Sequence, residues 1–218
     1  MGYEIEFYRT ENGRKPVEDF IQSLQEKQIA KILRDITLLQ DKGSDLHYPY
    51  VDYIKGDKYN GLMELRTKQG GGIFRTFYFV VVKDRETKTE KAVLLHAIQK
   101  KTNKTPKREL DTALSRMKDY KSRGGVKMAD EFDPFKAKLL KNPQIKAEYD
   151  ALAPEYELIE QLITARTEKK MTQKQLAEKL GTSQSSIARL ESGNCNPSFQ
   201  FLQRVAVALD KRLSFVLS

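Results

Sequence analysis

The chain opens on alternating apolar and charged positions. In Tyr3-Glu-Ile-Glu-Phe-Tyr8, Tyr3, Ile5 and Phe7 share one face while Glu4, Glu6 and Tyr8 share the other. This period of two marks a half-buried strand. From Pro16, a residue suited to the first helical position, Val17, Phe20, Ile21 and Leu24 form one apolar stripe. Ile29, Ile32, Leu33, Ile36 and Leu39 form a second stripe, out of phase with the first, so two helices are predicted before Gly43. Three β-rich stretches follow: Leu62 to Thr67, Ile73 to Val82 and Lys91 to Ile98. Gly70-Gly71-Gly72 and the polar segment Lys83 to Lys88 divide them, which predicts an antiparallel meander. Thr105-Pro106 then caps a helix running through Leu110, Ala113, Leu114 and Met117, with Tyr120 near its end.

Periodicity stops at Lys121-Ser-Arg-Gly-Gly-Val-Lys-Met128, where two adjacent glycines among charges read as an exposed boundary, placed at 124–127. Met128-Ala129-Asp130 has the form of a translation start, which fits two reading frames joined. Downstream the pattern is helical, and the segments Pro134 to Lys141, Pro143 to Leu152 and Pro154 to Thr167 each begin with proline. The expectation is an α+β domain over 1–123 followed by an all-α domain over 128–218. The latter divides into an acidic arm, 128–154, and a compact helical domain, 155–218.

Composition narrows the function classes. No apolar run approaches the ~20 residues of a spanning helix, and the N-terminus lacks the form of a signal peptide, so the chain is read as cytoplasmic. One cysteine, Cys195, closes no internal disulfide, and with only His47 and His96 it cannot complete a four-ligand zinc site. The net charge of +9 favours a polyanionic partner. Its distribution says more: residues 91–123 carry +7, whereas residues 128–160 carry −4.

The most specific motif begins at Met171. Thr172 and Gln175 form a capping box for a short helix whose buried face is Leu176, Ala177 and Leu180. Gly181 supplies a left-handed turn, and Ser183 caps a second helix with Ile187 and Leu190 inward and Gln184, Ser185, Ser186 and Arg189 outward. Small residues at the crossing and polar groups on the free face are what base-edge and phosphate hydrogen bonding require. Residues 155–211 resemble the Cro/repressor-type (XRE) helix-turn-helix family, a five-helix module, and in particular HigA-type antitoxins. The resemblance implies that Gln173 meets a phosphate, that Gln184, Ser185 and Ser186 read bases, and that Arg189 contacts a base or phosphate. It also implies that Asn194 and Asn196 touch the DNA backbone. With Thr182 and Ser183 at the turn, these form the expected DNA-binding set, acting as a homodimer on operator half-sites about one helical turn apart.

On the strands of the first domain, Glu64 and Arg66 share a face, Arg75 and Phe77 share a face, and Thr76 and Tyr78 lie opposite. The run Leu94-Leu95-His96 through Lys100, Lys101, Lys104 and Pro106 delivers a cation cluster ahead of the last helix. Glu64-Leu65-Arg66, Arg75-x-x-Tyr78 and this run resemble the RelE/HigB toxin superfamily, in its phage-derived HigB-like branch, over almost all of residues 1–121. Members are endoribonucleases that cut messenger RNA, mostly on the ribosome, by attack of the 2′-hydroxyl on its own 3′ phosphate. The likeness implies that Arg66 and Arg75 hold the phosphate and that Lys100 or Lys101 stabilises the transition state or leaving group. By the same likeness Tyr78 or Glu64 handles the 2′ proton, and Lys104, Lys107 and His96 contact RNA. RelE proper has lysines where this chain has Leu62 and Glu64, and its C-terminal tyrosine has no clear match, Tyr120 lying far along the helix. Tyr48, Tyr50 and Tyr53 fit either base stacking or a loop tucked on the core.

Toxin before antitoxin is the order of HigBA-type systems. On this reading the segment 128–160 neutralises the toxin, its charge facing the +7 cluster and Phe132, Phe135, Leu139, Leu140, Tyr149 and Leu152 anchoring it. The joined chain is an endoribonuclease held inhibited by a half that also represses its operon, with no cofactor and no metal. The alternative is a DNA-binding regulator whose RelE-like half is an inert binding or dimerisation module.

Overall fold

The computed structural model describes residues 2–84, 89–100, 105–124, 132–193 and 195–214. They form two compact units, 1–152 and 153–218.

The first unit is α+β, as the pattern predicts. Strands β1 (Tyr3–Phe7), β2 (Val51–Tyr53), β3 (Met63–Gln69), β4 (Gly72–Asp84) and β5 (Thr89–Lys100) make one sheet in the order β1-β5-β4-β3-β2. The meander β3-β4-β5 is antiparallel, whereas β1 runs parallel to β5, with Ile5 opposite Ala92 and Phe7 opposite Leu94. A register shift after Phe77 pairs it with His96 and the next residue, Tyr78, with Leu94, skipping Leu95. The predicted phase slip appears as two helices, α1 (Pro16–Gln22) and α2 (Glu26–Lys42). These cover one face of the sheet, where Phe20 of α1 meets Phe74 edge-on at 6.4 Å. Helix α3 (Lys107–Ser122) covers part of the other face, packing Leu114, Met117 and Tyr120 against Phe77, Phe79 and Val93. Its N-cap is Pro106, with no side-chain cap hydrogen bond, so Thr105 does not cap it. Because both faces are covered, Glu6 is buried on the α3 side, and it accepts hydrogen bonds from Lys91 Nζ (2.5 Å) and Tyr120 Oη (3.2 Å).

Helices α4 (Phe132–Leu139) and α5 (Pro143–Ala151) belong to this first unit. They pack on β1 and α2, behind the sheet relative to α3. Phe7 meets Phe135 edge-on at 5.1 Å and Phe132 at 6.4 Å. The Arg34 guanidinium donates from Nε (3.0 Å) and Nη2 (2.7 Å) to the Tyr149 carbonyl and lies 3.7 Å over the Tyr149 ring. This explains why α2 buries Lys31 and Asp35 besides its apolar stripe: it is sandwiched between the sheet and α5. The expectation that the acidic arm faces the 91–123 cluster is corrected here. Its described ion pairs run from Glu148 to Lys27 of α2, and within the arm from Asp133 to Lys136 and from Asp150 to Lys146. Aromatic packing on Phe7, rather than bulk charge, sets the site.

The second unit holds α6 (Ala153–Glu168), α7 (Gln173–Leu180), α8 (Gln184–Glu191) and α9 (Phe199–Ala208). These are four helices among the described residues, where the resemblance implies five. Their core joins Leu162, Leu176, Ala177, Ile187, Leu190 and Val205.

Truncating Phe135 to alanine removes a buried aromatic from the Phe7 contact and is expected to cost about 3–5 kcal/mol. Denaturant unfolding of the full chain should show this, with faster amide exchange in α4 and α5; unchanged exchange there would contradict the packing.

Candidate phosphate groove and DNA-reading helix

The strand register assembles the first candidate site. Arg66 of β3 stands opposite Arg75 of β4, and Phe77, Arg75 and Ile73 of β4 stand opposite His96, Ile98 and Lys100 of β5. Strand alternation therefore puts Glu64, Arg66, Arg75, His96 and Lys100 on the α3 side of the sheet.

Two guanidiniums at opposed positions repel, and the sheet resolves this with a carboxylate. Glu64, 2% exposed, accepts from Arg66 Nε at 2.7 Å and from Arg75 Nη1 with both oxygens. Arg66 Nη2 reaches on to Asp52 Oδ2 of β2 at 2.6 Å. The arginine side chains keep 23% and 14% of their surface open, and among the described residues Arg75 Nε has no hydrogen-bond partner. Burial pushes the Lys100 ammonium pKa down, and the nearby Arg75 and Arg66 charges push it further, against the opposing pull of Glu64. The result is a groove of three cations, two of them paired with Glu64 and Asp52, whose planar donors match a phosphate.

Other predicted residues lie elsewhere. Tyr78 is 1% exposed and sits on the opposite face, toward α1 and α2, where burial raises its phenol pKa far above the ordinary value. It is not brought to the groove. Glu64 is there as the bridge between arginines, with both oxygens engaged. His96 stacks on Phe77, its Nε2 2.6 Å from Glu109 Oε2 and its Nδ1 3.0 Å from Arg116 Nη1. Arg116 is a donor only, so Nδ1 accepts and Nε2–H donates to Glu109. Burial lowers the His96 pKa, with Arg116 adding to it and Glu109 opposing. Lys107 is exposed at the start of α3. Lys101 and Lys104 lie outside the described residues.

In the second unit the capping box of Thr172 and Gln175 forms, Gly181 adopts the left-handed conformation (φ 64°) and Ser183 accepts from Ser186 N. Gln184, Ser185 and Arg189 are exposed on one side of α8 beside the partly exposed Ser186 and Thr182. Asn196 is exposed; Asn194 lies outside the described residues. Gln173, for which the resemblance implies a phosphate contact, is the first residue of α7. It is buried, and its amide donates to Glu191 Oε2 at 2.9 Å. Glu191 in turn receives Arg166 Nε at 2.6 Å and Nη2 at 3.0 Å. Sequence reasoning missed this pair, although Arg166 falls one turn after Leu162 and Ile163 on the apolar face of α6 and so signalled a buried charge. It also missed Asp52, for which a three-residue strand gives no pattern.

Comparisons with known proteins give one match in each unit. Residues 19–118 match the model of the phage-derived Gp49-like protein family, and residues 162–216 match a helix-turn-helix family. The chain joins a toxin-type Gp49-like region to a helix-turn-helix DNA-binding region. The first match includes Arg66, Arg75, His96 and Lys100, and the second includes both α7 and α8. A Haemophilus influenzae protein described as an uncharacterized HTH-type transcriptional regulator is 42% identical over 59 residues, or 27% of this chain. The chain spans 60% of that relative's length.

Two outcomes check this geometry. Glu64→Gln should destabilise the full chain by about 3–5 kcal/mol, because it leaves two half-buried guanidiniums without their shared anion; a loss below about 1 kcal/mol by denaturant unfolding would refute the bridge. His96, its folded pKa below the unfolded 6.5, stabilises above that value and loses the contribution as pH falls through the folded pKa. Stability measured from pH 7.5 to 5 should fall less steeply in His96→Gln than in the native chain.

Proposed function

We propose that residues 1–123 are an endoribonuclease of the RelE/HigB type acting on messenger RNA at the ribosome. Residues 128–218 are its antitoxin, with 128–154 as the neutralising arm and 155–218 as the domain that represses the operon as a homodimer. The observation that carries this reading is the Glu64-bridged pair of Arg66 and Arg75 beside Lys100, on the α3 side of the sheet.

The chemistry follows from those groups. The 2′-hydroxyl gives its proton to solvent water as its oxygen attacks the adjacent phosphorus, the bond from phosphorus to the 5′ oxygen breaks, a 2′,3′-cyclic phosphate forms, and the 5′ oxygen leaves with a proton. Arg66 and Arg75 stabilise the added negative charge on the phosphoryl oxygens. Lys100, made more acidic by burial and its cationic neighbours, supplies the proton to the leaving oxygen. Glu64 positions both arginines and is not the base. The ribosome provides the in-line alignment. Because the arm docks behind the sheet, inhibition works by adding bulk that keeps the toxin out of the ribosome, not by plugging the groove. In the second unit, α8 enters the major groove and Gln184, Ser185 and Arg189 face the base edges.

A second reading has its own support. Arg66 and Arg75 already share Glu64, and Arg66 has Asp52, so the groove at rest is largely neutralised. In this reading the first unit is an inert module of a transcriptional regulator.

Expression of residues 1–123 separates the two. The nuclease reading expects growth arrest and new message ends within translated codons, a loss of at least 100-fold in cleavage on Arg75→Ala, and rescue by residues 128–218 supplied separately. Normal growth with intact messages leaves the regulator reading.

A further inference from the structure

The groove has an aromatic neighbour that the proposed chemistry does not use. Tyr48 is 54% exposed, and the Arg66 guanidinium carbon lies 5.6 Å from its ring centroid. The turn that carries it is built firmly. The His47 carbonyl accepts from Tyr50 N (3.1 Å) and Val51 N (3.2 Å), and Arg66 N donates to the Tyr50 carbonyl at 2.7 Å, tying the turn to β3. Tyr50 itself is buried. Tyr53, though 70% exposed, alternates with Asp52 on β2 and so points to the opposite face from the groove. Of the three tyrosines, the fold brings Tyr48 to Arg66, one of the arginine pair.

We infer that Tyr48 is a nucleobase platform: it stacks an unpaired base of single-stranded RNA whose backbone phosphate is held by Arg66 and Arg75. This rests on the proposed RNA-cleaving function and assigns to it a positioning residue. The separation of ring and guanidinium is about the width of one ribose, the spacer between a base and its phosphate. A large exposed aromatic loses little entropy on binding when its turn is already fixed, and stacking tolerates any base. The Arg66 guanidinium beside the ring adds a cation–π contact that preorders the tyrosine. The platform therefore orients the nucleotide without selecting its sequence.

The test uses the full chain and a 2′-O-methyl RNA hexanucleotide carrying 2-aminopurine, which lacks the attacking hydroxyl and loses fluorescence on stacking. The native protein should bind and quench it. Tyr48→Ala should weaken binding about tenfold and abolish the quench while keeping the salt dependence, because stacking neutralises no phosphate. Tyr48→Phe should retain both, and Tyr53→Ala should behave as native. Arg75→Ala should weaken binding and lower the salt slope by roughly 0.7. Native-like quenching and affinity in Tyr48→Ala would overturn the platform while leaving the nuclease reading standing. A flattened salt slope in Tyr48→Ala would also overturn it, showing that the ring acts through Arg66. If the native chain binds no RNA, the platform falls, while the nuclease reading, which places the RNA on the ribosome, is decided separately by the mapping of message ends.

Discussion

One buried carboxylate organises the first unit. Glu64 lies between two guanidiniums that the β3-β4 register sets opposite each other, and it is the anion they share. A buried, unpaired carboxylate is costly, and so are two unpaired guanidiniums; together they satisfy one another and become rigid. The same demand explains the short strand β2, whose Asp52 takes the remaining donor of Arg66, and whose preceding turn sets Tyr48 beside it. The place of the aromatic edge follows from that arrangement, and the two arginine charges it fixes add to the burial that lowers the Lys100 pKa.

The back of the sheet is organised by a different force. Phe7 on β1 and Arg34 on α2 hold α4 and α5 by aromatic packing and by a bidentate hydrogen bond to a helix-terminal carbonyl. The two sites are thus on opposite faces of one sheet, one charged and one mainly apolar. A docked arm therefore need not compete with RNA for the arginines, and control by added bulk is compatible with a preformed groove.

Much of this was legible in the chain. The two out-of-phase stripes gave α1 and α2, the glycine-punctuated β runs gave the meander, and the Thr172, Gly181 and Ser183 signals gave α7 and α8, because each depends on local chemistry. The parallel pairing of β1 with β5 was not legible, since alternation shows a strand without naming its neighbour. Arg75 and Tyr78 are an odd number of residues apart on one strand, so alternation alone sends them to opposite faces and takes Tyr78 away from the groove. What the pattern could not show was who satisfies a buried charge: Asp52 for Arg66, Glu191 for Gln173 and Arg166, Glu109 for His96. Such partners come from distant segments, and net charge is no guide to them. The −4 of residues 128–160 pointed to the basic cluster, whereas Phe132 and Phe135 determined where the arm packs.

The central claim is that a competent toxin groove is restrained by an arm clamped behind its sheet. It is tested most directly by releasing that arm in the intact chain with the pair Arg34→Ala and Phe132→Ala, verifying release by amide exchange in α5, and mapping message ends in growing cells. The account predicts new ends within translated codons when the arm is loose, absent when Arg75→Ala is added. A loosened arm with intact messages and normal growth would contradict it.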